Sequence, residues 1–330
     1  MTTTVPVVDL SVDSSRATRD LVEAVAAGAR DYGFFQVVGH GVPEELVARV
    51  WGETRRFFAL PVAAKQEVAR TKTNPRGYYD RELTKNRRDL KEVFDFARPP
   101  RQDLPDDHPD NRADVDGANQ WPSAHPALRP TLLEYLTECE RVAFRLLELL
   151  ALGLGLDGDP LRAHFTPRHT AFARLNYYPL DDPLDPGSAA AVTPLGDMAL
   201  HHHSDAGALT ILLQDDVGGL QVQVGERWVE VTPIHGALVV NVGDMLRIWS
   251  NDRYRAAVHR VRPVTDRPRY SLPFFFNPAY EANVLPLVIG EQRPRYRSVN
   301  WGAFRQARTD GDYADYGHEI QIADFRREEQ

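Results

Sequence analysis

From Phe172 to about Pro278 the chain reads as strand, turn, strand, and this stretch constrains the fold more than any other. Leu209-Thr210-Ile211-Leu212-Leu213 is an apolar run of buried-strand length. Gly236 to Asp244 is another, ending in a Gly-Asp turn, and Tyr254 to Val261 and Tyr270 to Phe276 follow. Short strands in such succession bury their apolar faces by pairing into two sheets. Eight of them, closing into a barrel-like roll, match the number of runs. A roll gathers residues from distant strands at one open mouth, where a small molecule can enter.

The polar residues inside these runs carry chemistry. His203-Ser204-Asp205 places an imidazole and a carboxylate on one face of a strand, because alternate residues point the same way. His259, from a distant strand, completes a face of two histidines and one carboxylate. Such a face leaves the opposite coordination positions open and suits non-haem Fe(II) and oxygen. Arg269 and Ser271 are also two apart, and a guanidinium fork beside a hydroxyl is a receptor for a carboxylate. His201 and His202 precede the ligand. His201 shares a strand face with His203, whereas His202 is expected to face away. His40, in a Gly-His-Gly turn, reads as structural, His235 as a surface residue and Asp215-Asp216 as a solvated turn.

The flanking sequence supplies helices. Ser14 and Ser15 are N-cap candidates for a helix reaching about Asp31, with Leu21, Val22, Val25 and Ala29 as its stripe and Gly33 as its stop. Val5 to Leu10 and Phe34 to Val38 read as strands. Pro43 opens a second helix. Arg76 to Asp80 reads as loop and Lys91 to Phe96 as strand. Arg98 to His125, rich in Pro and Asp, reads as a linker or flap. Pro126 to Leu154 is the strongest helix: Leu128, Leu132, Leu136, Cys139, Ala143, Leu147 and Leu150 recur at three and four, so it should lie lengthwise on a sheet. The fold class is α+β.

Composition narrows the partners. The chain of 330 residues carries a net charge of −8, against nucleic acid or an anionic membrane. One cysteine, Cys139, excludes an intrachain disulfide. No apolar run reaches the roughly 18 residues of a membrane span, and the N-terminus lacks the features of a signal peptide. A cytoplasmic location is expected, with a small-molecule substrate and an oligomeric state the sequence leaves open.

In order along the chain, these segments resemble the iron(II)/2-oxoglutarate-dependent dioxygenases of the isopenicillin N synthase-like branch. The resemblance rests on Val5 to Leu10, Gly33 to Val42, Leu83-Thr84-Lys85-Asn86 and Lys91 to Phe96. It continues through Asn176-Tyr177-Tyr178-Pro179, His203-Ser204-Asp205, Asn241 to Asp244, His259-Arg260-Val261 and Arg269-Tyr270-Ser271. It implies a double-stranded β-helix (jelly-roll) core with an N-terminal mixed α/β region and a long supporting helix. The implied division is residues 1–110 N-terminal dioxygenase region, 111–165 linker and scaffold helix, 166–280 oxygenase core and 281–330 C-terminal cover.

The resemblance further implies Fe(II) on His203, Asp205 and His259, with O2 and 2-oxoglutarate as cosubstrates. The far carboxylate of 2-oxoglutarate would sit on Arg269 and Ser271, with Tyr178 and Asn176 beside it. Tyr78, Phe94, Phe96, Phe276 and Asn277 are expected to line the substrate pocket by analogy. The implied reaction hydroxylates, desaturates or cyclises a small, largely apolar metabolite, releasing succinate and CO2. An iron-dependent oxidase of the same fold that does without 2-oxoglutarate, and a non-catalytic metal- or ligand-binding protein, are the alternatives. Leu180 to Leu200 is longer than in plant members and is expected to shape the substrate side as a mobile loop. Arg295, Arg297 and Arg305 read as solvated charges, with a substrate carboxylate as the other reading.

Overall fold

A computed structural model describes residues 4–11, 18–71, 73–84, 87–99, 117–166, 168–288, 292–311 and 320–327. Ser14, Ser15 and residues 100–116 lie outside them. Eight strands from β7 to β14 form the centre: β7 (Phe172–Tyr178), β8 (Leu200–His203), β9 (Leu209–Gln214), β10 (Leu220–Val224), β11 (Arg227–Glu230), β12 (Leu238–Val242), β13 (His259–Val261) and β14 (Arg269–Phe276). The chain steps back and forth between two sheets. β12, β9, β14 and β7 are neighbours in the larger, and β11, β10, β13 and β8 form the smaller. This winding is the expected double-stranded β-helix.

The N-terminal region adds strands to the same larger sheet. β1 (Val7–Asp9) and β2 (Phe34–Val38) extend it beyond β12. β3 (Gly77–Tyr79) and β6 (Glu92–Ala97) extend it beyond β7, and β4 (Leu83–Thr84) and β5 (Arg87–Arg88) make a small separate ladder. β3 corrects the loop expected over Arg76–Asp80. It is three residues long and sits at the sheet edge, too short to show a period. The strand expected over Tyr254–Val261 is limited to its last three residues.

Helices pack one face of the larger sheet. α1 (Arg19–Ala27) is capped by Thr18, whose hydroxyl accepts from the Leu21 amide at 3.3 Å. A single π turn, Gly28–Tyr32, follows and ends at Gly33, whose φ of +69° lies in the left-handed region. α2 (Glu44–Phe58) has Pro43 as its cap rather than as its first residue. α3 (Val62–Gln66) follows it. α4 (Leu128–Gly153) buries Leu128, Leu132, Leu136, Cys139, Ala143, Leu147 and Leu150 completely or nearly so, as the three-and-four spacing requires. The helix-side core joins α1, α2 and α4 to Phe35, Phe94, Phe96, Leu175, Ile211, Leu272, Phe274 and Phe276 of the sheet.

A second core lies between the two sheets. Phe34, Tyr178 and Val239 of the larger sheet meet Leu220, Val222 and Val261 of the smaller. Both faces of the larger sheet are therefore covered, and the inter-sheet side is where the site is built. α5 (Pro186–Ala190) lies within the 180–200 segment, and α6 (Asp244–Trp249) follows β12. β15 (Asn283–Val284), β16 (Val299–Asn300) and α7 (Trp301–Gly311) follow towards the C-terminus. Among the described residues no helix is long and apolar enough to cross a membrane.

Candidate metal and oxoacid site

Antiparallel pairing brings the two histidines together. His259 on β13 stands directly opposite His203 on β8, so the side chains share a face, and their ring centroids are 4.3 Å apart. β8 ends at His203, and Asp205 lies just beyond it rather than on the strand as expected. The turn that carries Asp205 is set against the start of α6: the Asp244 amide donates to the Asp205 carbonyl at 2.8 Å and the Met245 amide to the Gly207 carbonyl at 2.9 Å. Gly243 makes this approach possible, since a Cβ there would lie 2.2 Å from the Gly207 carbonyl oxygen.

Every second hydrogen-bonding position of the three side chains is already occupied. His203 Nδ1 faces the His201 carbonyl at 2.8 Å and His259 Nδ1 the Ala257 carbonyl at 3.2 Å. Both rings thereby turn Nε2 inward. Asp205 Oδ2 accepts from Thr210 Oγ1 and, at 2.8 Å, from Asn241 Nδ2. Its Oδ1 is left 3.5 Å from His203 Nε2 and 3.7 Å from His259 Nε2. One ligand atom from each of the three residues falls within 4.8 Å of the others, and no other cluster of three such residues exists among the described residues.

Electrostatics puts Asp205 and His259 in ligand form. Burial works to raise the Asp205 carboxyl, but His259, His203 and the Asn241 amide outweigh it and hold it far below the usual carboxylate range. Burial and the neighbouring His203 pull His259 down to about 4 against the attraction of Asp205. An ionised carboxylate and a neutral imidazole are the forms a divalent metal takes. The donor set, two imidazoles and one carboxylate on one side, fits Fe(II) with open positions.

Register also assembles a receptor deeper between the sheets. Arg269 stands opposite Tyr178 and Ser271 opposite Asn176 on β14 and β7, with Gln214 of β9 on the other side of Ser271. The Arg269 guanidinium, almost fully buried, donates to Ser271 Oγ at 3.3 Å and Gln214 Oε1 at 3.2 Å. Asn176 Nδ2 donates to the same hydroxyl at 3.3 Å, and the Tyr178 ring lies 4.9 Å from the guanidinium carbon. Arg269 Nε has no hydrogen-bond partner, and among the described residues no carboxylate forms a direct ion pair with the guanidinium, although its charge works to lower the nearby Asp215 carboxyl. A buried guanidinium flanked by neutral groups fits the carboxylate of an oxoacid.

Comparison with known proteins decides the family. Residues 170–278 match the 2OG-Fe(II) oxygenase superfamily, and residues 5–124 match the N-terminal region named for a non-haem dioxygenase in morphine synthesis. A 2-oxoglutarate-Fe(II) type oxidoreductase, hxnY, of Emericella nidulans is 34% identical, over 92% of this chain and 90% of its own. The chain belongs to the 2OG-Fe(II) oxygenase superfamily. The solved structure of JOX2 in complex with 2OG, Fe and JA superposes with a TM-score of 0.75 at 31% identity, over 92% of this chain and 84% of that one. That of a 2OG-Fe(II) oxygenase family protein from Caulobacter crescentus superposes with a TM-score of 0.78 at 28% identity, over 94% and 99%. The protein is thus an enzyme that uses Fe(II) and 2-oxoglutarate.

The oxygenase does not bring the expected substrate residues to this site. Phe94 and Phe96 pair with Leu175 and Ala173 of β7 and point to the helix side, where Phe94 meets Phe57 at 4.7 Å and both meet Trp121 at 5.9 Å. Tyr78, opposite Phe94, also faces the helices, and its hydroxyl donates to Glu92 at 2.6 Å. Phe276 stacks on Phe165 at 4.4 Å beside Phe144. Asn277, past the end of β14, donates to the Thr170 carbonyl at 3.4 Å and closes against Gly207. The inward positions are the alternate ones. Phe275 pairs with Thr210, the residue that holds Asp205, and stacks on Phe172 at 4.7 Å. Both rings are only partly buried. The guanidinium carbons of Arg76 and Arg305 lie 4.8 and 5.0 Å from the centroid of Phe172.

Asn241 and Thr210 are the site residues that sequence reasoning passed over. Asn241 had a signal, a polar residue inside the apolar run Leu238–Val242. The 180–200 segment is fastened rather than loose. Arg88, buried, binds both Asp182 oxygens and donates to the Thr193 carbonyl at 3.1 Å. His40 and His235 are structural and exposed respectively: His40 Nε2 meets the Gly236 carbonyl at 2.9 Å. Asp215 caps its turn, accepting from the Tyr270 and Val217 amides at 2.6 and 3.1 Å.

Proposed function

We propose that His203, Asp205 and His259 hold Fe(II), and that Arg269, with Ser271, Asn176 and Tyr178, receives the distal carboxylate of 2-oxoglutarate. The observation that carries the first part is the division of labour on Asp205. One oxygen is engaged by Thr210 and Asn241, while the other faces both Nε2 atoms. The second part is supported by the buried Arg269 guanidinium, which has no direct ion pair and an unpartnered Nε.

The bound iron and oxoacid supply oxygen activation coupled to release of succinate and CO2. This chain's own residues orient the ligands, keep bulk water from the Arg269 receptor and present the substrate. Its primary substrate is a small, largely apolar metabolite lying against the partly exposed Phe172–Phe275 pair, whose Phe275 stands opposite Thr210 on β9. The similarity to JOX2, whose structure holds JA together with 2OG and Fe, supports this. The acidic net charge supports a chain that works without nucleic acid or membrane, and a cytoplasmic location accords with a single cysteine that is buried.

The test is 2-oxoglutarate turnover by the iron-loaded protein with panels of aromatic and aliphatic metabolites, read as succinate. The reading expects slow basal succinate formation that rises severalfold with a true substrate. Oxygen consumption that is indifferent to added 2-oxoglutarate refutes it.

A further inference from the structure

His201 lies two residues before His203, but the register irregularity between Leu200 and His203 breaks the alternation of faces, and its ring does not join the metal cluster. It is caged instead. Its Nδ1 donates to Asp89 Oδ1 at 2.6 Å, and its own amide donates to the same oxygen at 3.0 Å. On the other side is Gly196, where a Cβ would fall 2.2 Å from Cε1 and 2.3 Å from Nε2 of the ring. Asp89 is fully buried and held in turn by Lys91 Nζ at 3.0 Å and Thr84 Oγ1 at 2.7 Å. Asp89, itself held by Lys91 and Thr84, thus fixes one buried imidazole outside the metal cluster, whose Nε2 lies 3.3 Å from Asp197 Oδ1.

The fixed ring matters because of what residue 201 does with its other end. Its carbonyl accepts from His203 Nδ1 at 2.8 Å, the bond that sets the rotation of the His203 ring and the direction of Nε2. β8 needs such help. It is an edge strand, paired only with β13, at two register positions with an irregularity between them. Its other edge is covered by Asp89 and its neighbours, with the Leu90 amide donating to the Met198 carbonyl at 3.4 Å and the Gly196 amide to the Arg88 carbonyl at 2.9 Å.

We infer that Asp89 and His201 are positioning residues that hold His203 in ligating orientation, so that the N-terminal region sets the geometry of the metal centre. Gly196 belongs to the same clamp by leaving room for the ring. The inference rests on the reading of His203 as an iron ligand, and the test separates the two.

Fe(II) is titrated anaerobically into the full-length protein with saturating 2-oxoglutarate, and binding is followed by the charge-transfer absorption of the complex. Outer partners of metal ligands typically contribute roughly 10- to 100-fold in affinity. His201→Ala and Asp89→Ala are expected to weaken Fe(II) by that factor. Gly196→Ala, which pushes on the ring, is expected to do the same and to fold even if Asp89→Ala does not. In the His201→Ala background, Gly196→Ala should cost nothing further, because the ring it displaces is gone. Fe(II) affinity within twofold of wild type in His201→Ala, with or without a lower melting temperature, overturns the inference. So does a full additional loss in the double variant. His203→Ala is the separate control: if it binds Fe(II) as wild type does, the ligand assignment itself has failed.

Discussion

Arg269→Met separates affinity from stability in one variant. The wild-type guanidinium is buried, bound only to the neutral Ser271 and Gln214. Losing a charged partner of a desolvated carboxylate costs about 2–5 kcal/mol, or roughly 30- to several-thousand-fold in affinity. Without the oxoacid the sign reverses. Removing a buried charge that has no direct ion pair relieves a desolvation cost of several kcal/mol, offset in part by the lost attraction to Asp215 and by about 1 kcal/mol for each neutral acceptor left behind. The iron-free, oxoacid-free variant should therefore unfold at or above the wild-type temperature. The assay is thermal unfolding with and without 2-oxoglutarate. At a concentration 100 times the wild-type Kd, the ligand stabilises wild type by about 2.7 kcal/mol. A 100-fold weaker variant would gain only about 0.4 kcal/mol from the same concentration. A variant that loses stability without ligand, or keeps the full ligand-induced shift, refutes the role given to Arg269.

Asp205→Ala and His259→Ala should each abolish Fe(II) binding in anaerobic titration while His202→Ala, at an exposed position, stays near wild type; a dead His202→Ala would mean the ligand register is wrong. Phe94→Ala, in the helix-side core, should cost about 3–5 kcal/mol of stability and leave substrate preference unchanged. Phe275→Ala should raise KM for the primary substrate with a smaller loss of stability, and the reverse pattern in chemical denaturation and kinetics would return Phe94 to the pocket. Burial pushes Glu140, on α4, up to about 7 despite Arg98. The folded value lies above the unfolded one, so stability is greatest below about pH 4.5 and is lost as pH rises toward 7, by about 3 kcal/mol at most. Glu140→Gln should therefore stabilise the protein at pH 8 and much less at pH 5, and equal effects in urea unfolding at both would disprove it.

That the proposed metal and oxoacid residues come together was legible because strand periodicity and pairing act on them directly. His203 and Asp205, or Arg269 and Ser271, are two apart, and nothing between them has to be known. The substrate wall was not legible for the same physical reason. β6 is buried along almost its whole length, and β14 on both faces. Such strands show no alternation of apolar and polar residues, so the sequence cannot say whether Phe94 or Val93, Phe276 or Phe275, faces inward. Pairing with β7 and β9 settles it. His201 was ambiguous in another way. The group that claims its ring, Asp89, lies 112 positions away in sequence.

β14 runs through the middle of the larger sheet, bonded to β7 on one side and β9 on the other. Its even positions, Tyr270, Leu272, Phe274 and Phe276, go to the helices, and its odd ones go inward. A slip of one residue while the strands are pairing would drive Arg269 into the aromatic packing around Phe58 and Tyr177 and turn four large apolar side chains toward the site. The misaligned sheet would strand an ion among rings, with no water and no acceptor to receive it. The guanidinium proposed to receive an organic acid would thus also penalise a mispaired sheet.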